Sequence, residues 1–209
     1  MIAIVDYRAG NLTSVKLAFE AIGVEAITTA DPATIRQASR IVFPGVGAAG
    51  SAMENLRQTN LIDTLRERIA AGVPFFGICL GTQILFDSSE EDGGIQTLGI
   101  LPGTVKKFLP FDKRTKIPHM GWNQARIVYP HPLLDGIPDS SDFYFVHSYY
   151  PAPDQTTDVI CTTDYAGITF ASMVGRGNVA ATQFHIEKSG KTGLKILKNF
   201  STWNGKSTR

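Results

Sequence analysis

The chain has 209 residues, enough for one α/β domain whose core needs no disulfides or metal, and we expect residues 1–209 to form a single domain. Its 20 Lys and Arg residues against 19 Asp and Glu residues leave a net charge of +1, so neither nucleic acid nor an anionic membrane is expected as a partner. Two cysteines make no disulfide framework, although a single bond between Cys79 and Cys161 stays open, and no stretch reaches the ~20 apolar residues of a membrane-spanning helix. These features predict a cytoplasmic protein.

The first half of the chain alternates between strand and helix patterns. The apolar run IAIV at residues 2–5 predicts a strand that is buried on both faces. Asn11 can cap the helix that follows, and Gly23 ends that helix. Further strands are predicted at VEAITT, RIVF and PFFGI, with helices after Asp31-Pro32 and from Leu61 to Ala71. These alternations predict a parallel sheet with helices on its faces.

The second half has the pattern of antiparallel hairpins or a mixed sheet. Its strand-like segments are ILPGTVKKF, QARIV, DFYFVHSYY, DVICTTDY, ITFASMV and VAATQF, separated by turn signals such as Tyr165-Ala166-Gly167. A closing helix is predicted at residues 191–203. The longest irregular stretch is PFDKRTKIPHMGWN, residues 110–123, where we expect a functional loop. The expected fold class is α/β, with a central, mostly parallel mixed sheet and antiparallel strands in the second half.

One cysteine lies where a parallel sheet places its ligand sites. Cys79 follows the predicted strand PFFGI, and the crevice beyond the carboxyl ends of such strands is the usual binding site. Gly77 and Gly81 flank it in the pattern G-x-C-x-G, which matches the tight turn that exposes a hydrolase nucleophile. The start of the following helix favours thiolate over thiol. A buried structural cysteine is the alternative interpretation of this pattern alone.

A nucleophilic thiol requires a base, and QFHIEKS at residues 183–189 supplies a candidate. If the strand VAATQF continues, His185 and Glu187 point to the same face, where the carboxylate can orient the imidazole. Taken alone, H-x-E is a weak pattern. We assign no catalytic role to His119 and His131, which lie beside prolines, or to His147 in an aromatic strand. No Cys/His cluster has the spacing of metal ligands, and no metal is expected.

Backbone N–H groups are needed to stabilise the oxyanion of an acyl-transfer reaction. The N–H of Leu80, directly after the candidate nucleophile, supplies one such donor. PGVG at residues 44–47 ends the strand RIVF at the same sheet edge, and its glycines permit a peptide to rotate. Val46 and Gly47 are therefore candidates for the second donor, although a plain turn explains PGVG equally well on its own.

Taken together, these motifs resemble the class I (triad) glutamine amidotransferases. GICLGTQ resembles the nucleophile motif of that family, QFHIEKS its His–Glu motif and PGVG its oxyanion loop. GNLTSV, PGVGAAGSAM, LFDSSEE, PHMGWN and YFVHSYY further resemble one subgroup, the glutaminase subunits of imidazole glycerol phosphate synthases. These motifs run nearly the length of the chain. The resemblance implies a single-domain, flavodoxin-like fold and no cofactor.

The resemblance also implies a reaction and a set of site residues. Cys79 would attack the side-chain amide of glutamine, ammonia would leave, and water would hydrolyse the γ-glutamyl thioester. The ammonia would pass to a separate (β/α)-barrel cyclase subunit that forms imidazole glycerol phosphate and an aminoimidazole carboxamide ribotide in histidine biosynthesis. The residues implied to hold glutamine are Gly47, Gln83, Ser148 and Tyr149. Those implied to lie at or near the cyclase are Asn11, Met120, Trp122 and Lys188.

Three positions depart from the family's usual residues. The family usually has proline at the position of Ile186, glycine at Arg8 and a bulky residue at Ala49. Arg8 and Ala49 put local loop geometry or partner contacts in question, whereas Ile186 lies between two members of the implied triad.

Three alternatives to this function remain open on sequence grounds. The chain could serve another synthase, such as one forming pyridoxal phosphate or anthranilate, although PHMGWN and YFVHSYY argue against this. It could act alone as a hydrolase on γ-glutamyl peptides. It could also be a non-catalytic binding module on the same fold, against which the presence of Cys79, His185 and Glu187 argues.

Overall fold

The structure is a computed structural model that describes residues 1–9, 11–109, 112 and 115–207. Its helices are α1 (Leu12–Ala21), α2 (Pro32–Gln37), α3 (Ala49–Gln58), α4 (Leu61–Ala70), α5 (Leu80–Gln83) and α6 (Gly190–Thr202). Its strands are β1 (Ile2–Val5), β2 (Ala26–Thr29), β3 (Arg40–Gly45), β4 (Phe75–Cys79), β5 (Ser88–Ser89), β6 (Ile95–Gln96), β7 (Gly103–Lys107), β8 (His119–Ile127), β9 (Ser141–His147), β10 (Tyr149–Pro153), β11 (Val159–Tyr165), β12 (Ile168–Arg176) and β13 (Val179–Thr182). The elements belong to an α/β fold with a mixed sheet, as predicted.

Within the described residues, the larger sheet has nine strands in the order β2-β1-β3-β4-β13-β12-β11-β8-β9. The strands from β2 to β13 pair in parallel, and those from β13 to β9 pair in antiparallel fashion. The change in direction at β13 therefore joins the two halves that the sequence predicted. A second sheet of the described residues has the order β10-β7-β5-β6 and was not predicted.

Helices cover both faces of the larger sheet because its central strands are apolar on both sides. Along β1, Ile2 and Ile4 pack with the core of α1 and α6, whereas Ala3 and Val5 pack with the core of α2, α3 and α4. This division follows from the period of two in a strand, which sends successive side chains to opposite faces. No helix in the described part of the chain is long and apolar enough to cross a membrane.

Several local predictions were wrong. Helix α3 was not predicted. PHMGWN does not continue an irregular loop, because β8 begins at His119. DFYFVHSYY is not one strand, because β9 ends at His147 and the chain then enters the second sheet as β10. The remainder of the predicted loop includes residues 110, 111, 113 and 114, which lie outside the described residues, as does Gly10 of GNLTSV.

The start of α1 also differs from the prediction. Asn11 is the residue before the helix, but its side chain does not cap a backbone N–H. Its Oδ1 instead accepts a hydrogen bond from the Ser14 hydroxyl at 2.8 Å. Arg8, where the resembled family usually has glycine, has a φ of 65°. This conformation is costly for a residue with a Cβ atom, so glycine suits the position better.

Candidate active site

The turn around Cys79 is strained and closely packed. Cys79 ends β4 with a φ of 54° and a ψ of −105°, and α5 begins at the next residue. A Cβ atom added to Gly77 would lie 2.5 Å from the Gly81 carbonyl oxygen, and one added to Gly81 would clash with the carbonyl oxygen of Phe43. Both flanking glycines are therefore required by close backbone approach, and the predicted tight turn is confirmed. Residues 77–81 are called the nucleophile turn below.

The helix after Cys79, whose start was expected to favour the thiolate, is short. Within the described residues α5 has only four residues, so its dipole is much smaller than that of a full helix. The electrostatic environment of the thiol must come mainly from the side chains around it.

His185 and Glu187 form a buried pair. The His185 Nδ1 lies 2.8 Å from the Glu187 Oε1, and their side chains are 2% and 1% exposed. The strand predicted to carry them ends earlier, however, because β13 stops at Thr182 and a 3₁₀ helix spans Ile186–Lys188. The Ser189 hydroxyl donates to the His185 carbonyl at 2.6 Å and stabilises this tight turn. The two side chains meet across the 3₁₀ turn and not along one face of a strand.

The charge of the His185 imidazole is set by its two neighbours. Burial lowers the pKa of His185, but the charge of Cys79, a hydrogen bond with Cys79 and the Glu187 carboxylate together raise it to about 10. Among the described residues, no nitrogen or oxygen atom pairs with the other ring nitrogen, Nε2, which is buried. This arrangement favours an imidazolium that faces the sulfur and is held from behind by a carboxylate.

A buried amide network reaches the sulfur from the other side. The Gln83 Nε2 donates to the Tyr149 carbonyl and to the Gln183 Oε1, both at 3.0 Å. The Gln183 Nε2 then donates to the Cys79 Sγ at 3.6 Å. The acceptors around Gln83 assign its amide orientation and leave its Oε1 as an acceptor. Sequence reasoning missed Gln183, whose only signal was its place inside QFHIEKS.

The candidate oxyanion loop, residues 44–47, lies directly opposite the nucleophile. Gly45 of β3 pairs in register with Cys79 of β4. The Val46 N–H, however, donates to the Tyr7 hydroxyl at 3.2 Å, and that hydroxyl donates to the Val46 carbonyl at 3.4 Å. Gly47 has a φ of 93° and open space around it. In this conformation Val46 directs its N–H to Tyr7.

A pocket of about 430 Å³ connects these elements. Its lining includes every residue proposed for the nucleophile, base, oxyanion donors and substrate contacts except Glu187: Val46, Gly47, Cys79, Leu80, Gln83, Ser148, Tyr149 and His185. Glu91 also lines the pocket and was missed, although it belongs to the motif LFDSSEE. Burial raises the pKa of Glu91, and its Oε2 accepts the Ala49 N–H at 2.7 Å. The pocket size and its polar groups suit a single amino acid.

Comparison with known proteins identifies the family. A model described as glutamine amidotransferase class-I matches residues 3–202. The chain belongs to the class I glutamine amidotransferase family. Among solved structures, this amidotransferase is similar to PurLQS from Thermotoga maritima, with a TM-score of 0.74 and 18% identity over 95% of this chain and 96% of that one. At that identity the likeness shows the shared fold.

Curated relatives are much more similar in sequence. The imidazole glycerol phosphate synthase subunit HisH of Nitrosococcus oceani is 50% identical over 208 residues, which cover 99% of both chains. The protein of the same name from Moorella thermoacetica is 50% identical and covers 95% of this amidotransferase and 93% of the relative. That from Desulfovibrio desulfuricans is 49% identical, with coverage of 96% and 93%.

The proposed partner residues of this amidotransferase lie outside the pocket. Met120 and Trp122 are exposed by 63% and 59% and share one face of β8. The Trp122 ring lies 6.0 Å from that of Tyr144, and the Lys188 Nζ lies 5.8 Å from the same Tyr144 ring. Trp122 and Lys188 are thus joined through Tyr144, whereas Asn11 is partly exposed at the start of α1.

The remaining histidines, His119, His131 and His147, are all buried. The His147 Nδ1 lies 2.7 Å from the Tyr149 carbonyl, so it carries the proton, and its Nε2 accepts from the His119 Nδ1 at 3.0 Å. Burial lowers the pKa of His119 to about 4 and that of His147 to about 3. His119 lies in β8 and not in a loop. His131 accepts the Leu133 N–H at 3.2 Å.

The two cysteines of this amidotransferase do not form the disulfide that the sequence left open. Cys79 and Cys161 are both free and buried. Burial raises the pKa of the Cys161 thiol to about 12, so Cys161 stays protonated. Cys79, in contrast, lines the pocket.

Proposed function

We propose that this chain is the glutaminase subunit of an imidazole glycerol phosphate synthase in histidine biosynthesis. It hydrolyses glutamine to glutamate and ammonia, and the ammonia is used by a (β/α)-barrel cyclase subunit that forms imidazole glycerol phosphate and an aminoimidazole carboxamide ribotide. The observation that carries the proposal is a pocket lined by Cys79 and His185, with Gln183 bonded to the Cys79 sulfur and Glu187 to His185, in a chain 50% identical to a subunit of that synthase over 99% of its length.

The geometry supports a thioester mechanism. The Cys79 thiolate attacks the amide carbon of glutamine, and the oxyanion accepts the N–H of Leu80 and one from Val46 or Gly47. The His185 imidazolium gives its proton to the leaving nitrogen, so ammonia departs and a γ-glutamyl thioester remains. The neutral imidazole then takes a proton from water, which attacks the thioester and releases glutamate. Glu187 orients the imidazole and stabilises its charged form.

The pocket offers a partner for each end of the substrate. The Gln83 Oε1 is left as an acceptor because both amide hydrogens of Gln83 are already donated to the protein. It and the Glu91 carboxylate suit the α-ammonium group of glutamine. Ser148, Tyr149 and Gly47 line the same space and suit the remaining polar atoms of the amino acid.

We propose that the cyclase subunit contacts Asn11, Met120, Trp122 and Lys188. Trp and Met side chains are enriched at protein interfaces, and Met120 and Trp122 are both more than half exposed. Residues 1–209 act as one glutamine amidotransferase domain in a heterodimer. The free thiols of both cysteines support a reducing compartment such as the cytoplasm.

The test is a coupled assay of the chain with a cyclase subunit and its nucleotide substrate. Glutamine should support formation of imidazole glycerol phosphate in the wild type. The Cys79→Ala variant should lose glutamine-dependent turnover by about 10⁴-fold or more, yet retain cyclisation with ammonium salts because partner binding is preserved. Activity with the acceptor subunit of another synthase in place of this cyclase would overturn the proposal, as would glutamine-dependent turnover in the variant.

A further inference from the structure

Tyr7 is a fully buried tyrosine whose hydroxyl contacts Val46, a residue that lines the pocket, and the thioester mechanism gives it no part. It follows β1, and its ring stacks on that of Phe43 with centroids 4.8 Å apart and planes 16° apart. Burial raises the pKa of Tyr7 to about 12, so the hydroxyl is neutral and can both accept and donate a hydrogen bond.

That hydroxyl contacts both peptide groups of Val46. It accepts the Val46 N–H at 3.2 Å and donates to the Val46 carbonyl at 3.4 Å. The N–H belongs to the peptide that follows Gly45, the residue opposite Cys79 in the sheet register. To donate to an oxyanion, this peptide must rotate and give up the Tyr7 oxygen. The hydroxyl is therefore a competing acceptor for the same N–H.

We propose that Tyr7 is a positioning residue that holds the oxyanion loop with the Val46 N–H turned away from the reacting carbon until a partner stabilises the rotated loop. The proposal rests on the proposed function and adds the group that restrains the second donor. Val46 is 40% exposed and the Cβ position of Gly47 has no atom within 4 Å, so this end of the loop has room to rotate once the hydroxyl is removed. A partner can shift the loop only by binding its rotated form more tightly.

The Tyr7→Phe variant tests this directly, since it removes one oxygen and keeps the ring stacked on Phe43. We expect kcat of the free subunit for glutamine hydrolysis to rise about fivefold with KM unchanged, which corresponds to about 1 kcal/mol. With the cyclase and its nucleotide bound, kcat should equal that of the wild type, so the activation by the partner falls about fivefold. The matched control is Tyr165→Phe, which loses a hydroxyl bonded to the Lys116 carbonyl and should leave both values unchanged.

Amide exchange provides a second measurement that needs neither glutamine nor a partner. In Tyr7→Phe the Val46 amide hydrogen should exchange about fivefold faster than in the wild type, as measured by NMR, because its acceptor has been removed. Unchanged exchange, or faster exchange without a rise in kcat, would overturn the proposal. A fall in kcat in both the free subunit and the complex would also overturn it, since the hydroxyl would then serve the reaction itself. A wild type that hydrolyses no glutamine in the complex would contradict the proposed function, whereas the exchange experiment would still report on the Tyr7 contact.

Discussion

Two neighbouring backbone segments line the pocket, the nucleophile turn and the oxyanion loop, and they differ in how they are held. The nucleophile turn is fixed by the backbone itself, because Gly77 and Gly81 lie against carbonyl oxygens with no room for a Cβ atom. In the oxyanion loop, Pro44 and Gly45 pair with β4, but beyond them the Tyr7 hydroxyl bonds both the N–H and the carbonyl of Val46, and Gly47 has no neighbour within 4 Å of a Cβ position. A site can thus hold its nucleophile ready while its second oxyanion donor still depends on a weak and reversible contact.

The largest expected effect is the loss of stability when a methyl group is added to the nucleophile turn, compared with the same addition to the oxyanion loop. Gly81→Ala should lower the free energy of unfolding by on the order of 3 kcal/mol or more, because the new Cβ clashes with the Phe43 carbonyl oxygen. Gly47→Ala meets no atom and bears only the cost of its φ of 93°, about 1–2 kcal/mol. Urea denaturation measures both. Equal losses at the two positions would remove the contrast between the segments.

The second largest effect is expected from removing the Gln183 amide, which contacts the Cys79 sulfur. Gln183→Leu removes the donor 3.6 Å from the Cys79 Sγ, and a hydrogen bond to a charged group typically contributes about 1.5–3 kcal/mol. We therefore expect kcat to fall by about 10- to 100-fold. The rate of Cys79 alkylation by iodoacetamide should also fall because the thiolate loses a hydrogen-bond donor. A variant with wild-type kcat and an unchanged alkylation rate would show that the network only fills space.

The contribution of His147 to the free energy of unfolding should decrease at acidic pH. The pKa of His147 is lowered from 6.5 to about 3 in the folded protein, mainly by burial, so the unfolded chain binds this proton more readily. Stability from this group is therefore present above pH 6.5 and is lost as the pH falls toward 3. Between pH 6.5 and 5 the wild type should lose about 2 kcal/mol more than His147→Gln in urea denaturation. A parallel pH dependence in the two proteins would contradict this assignment.

The smallest effect is expected at the residue between the base and its carboxylate. Ile186 begins a 3₁₀ helix, where no intrahelical acceptor is required for its N–H, and His185 before it has the extended φ of −85° and ψ of 99° that proline requires. Ile186→Pro should therefore fold and retain kcat within about threefold, with a stability change of about 1 kcal/mol from altered packing. An unfolded variant would show that this backbone cannot accept the family's usual residue.

The sequence predicted the nucleophile turn well because its requirements are local. A glycine two residues before and after a cysteine at a strand end specifies the turn within five residues. The His185–Glu187 pair was predicted for the wrong geometry, since the strand ends at Thr182 and a hydrogen bond from Ser189 makes the 3₁₀ turn. No period in the sequence distinguishes these two conformations.

What the sequence could not predict depends on distant segments. Gln183 meets Gln83 across 100 positions of the chain, and Tyr7 meets Val46 across 39. The division of YFVHSYY between two sheets likewise depends on pairing with β7 and β8, which lie elsewhere in the chain. Such contacts are fixed by tertiary packing and leave no local pattern.

The central claim is that Cys79 is already reactive in the free subunit, whereas the second oxyanion donor is not yet in place. The most direct test is to measure the rate of Cys79 alkylation and the rate of glutamine turnover on the same protein. Alkylation of Cys79 by iodoacetamide needs a thiolate but no oxyanion donor, whereas glutamine turnover needs both. On binding of the cyclase and its nucleotide, we predict that alkylation changes by less than about threefold while kcat for glutamine rises by about 10²–10³, with little change in KM. A free subunit already at full kcat, or alkylation that rises in parallel with kcat, would contradict the account.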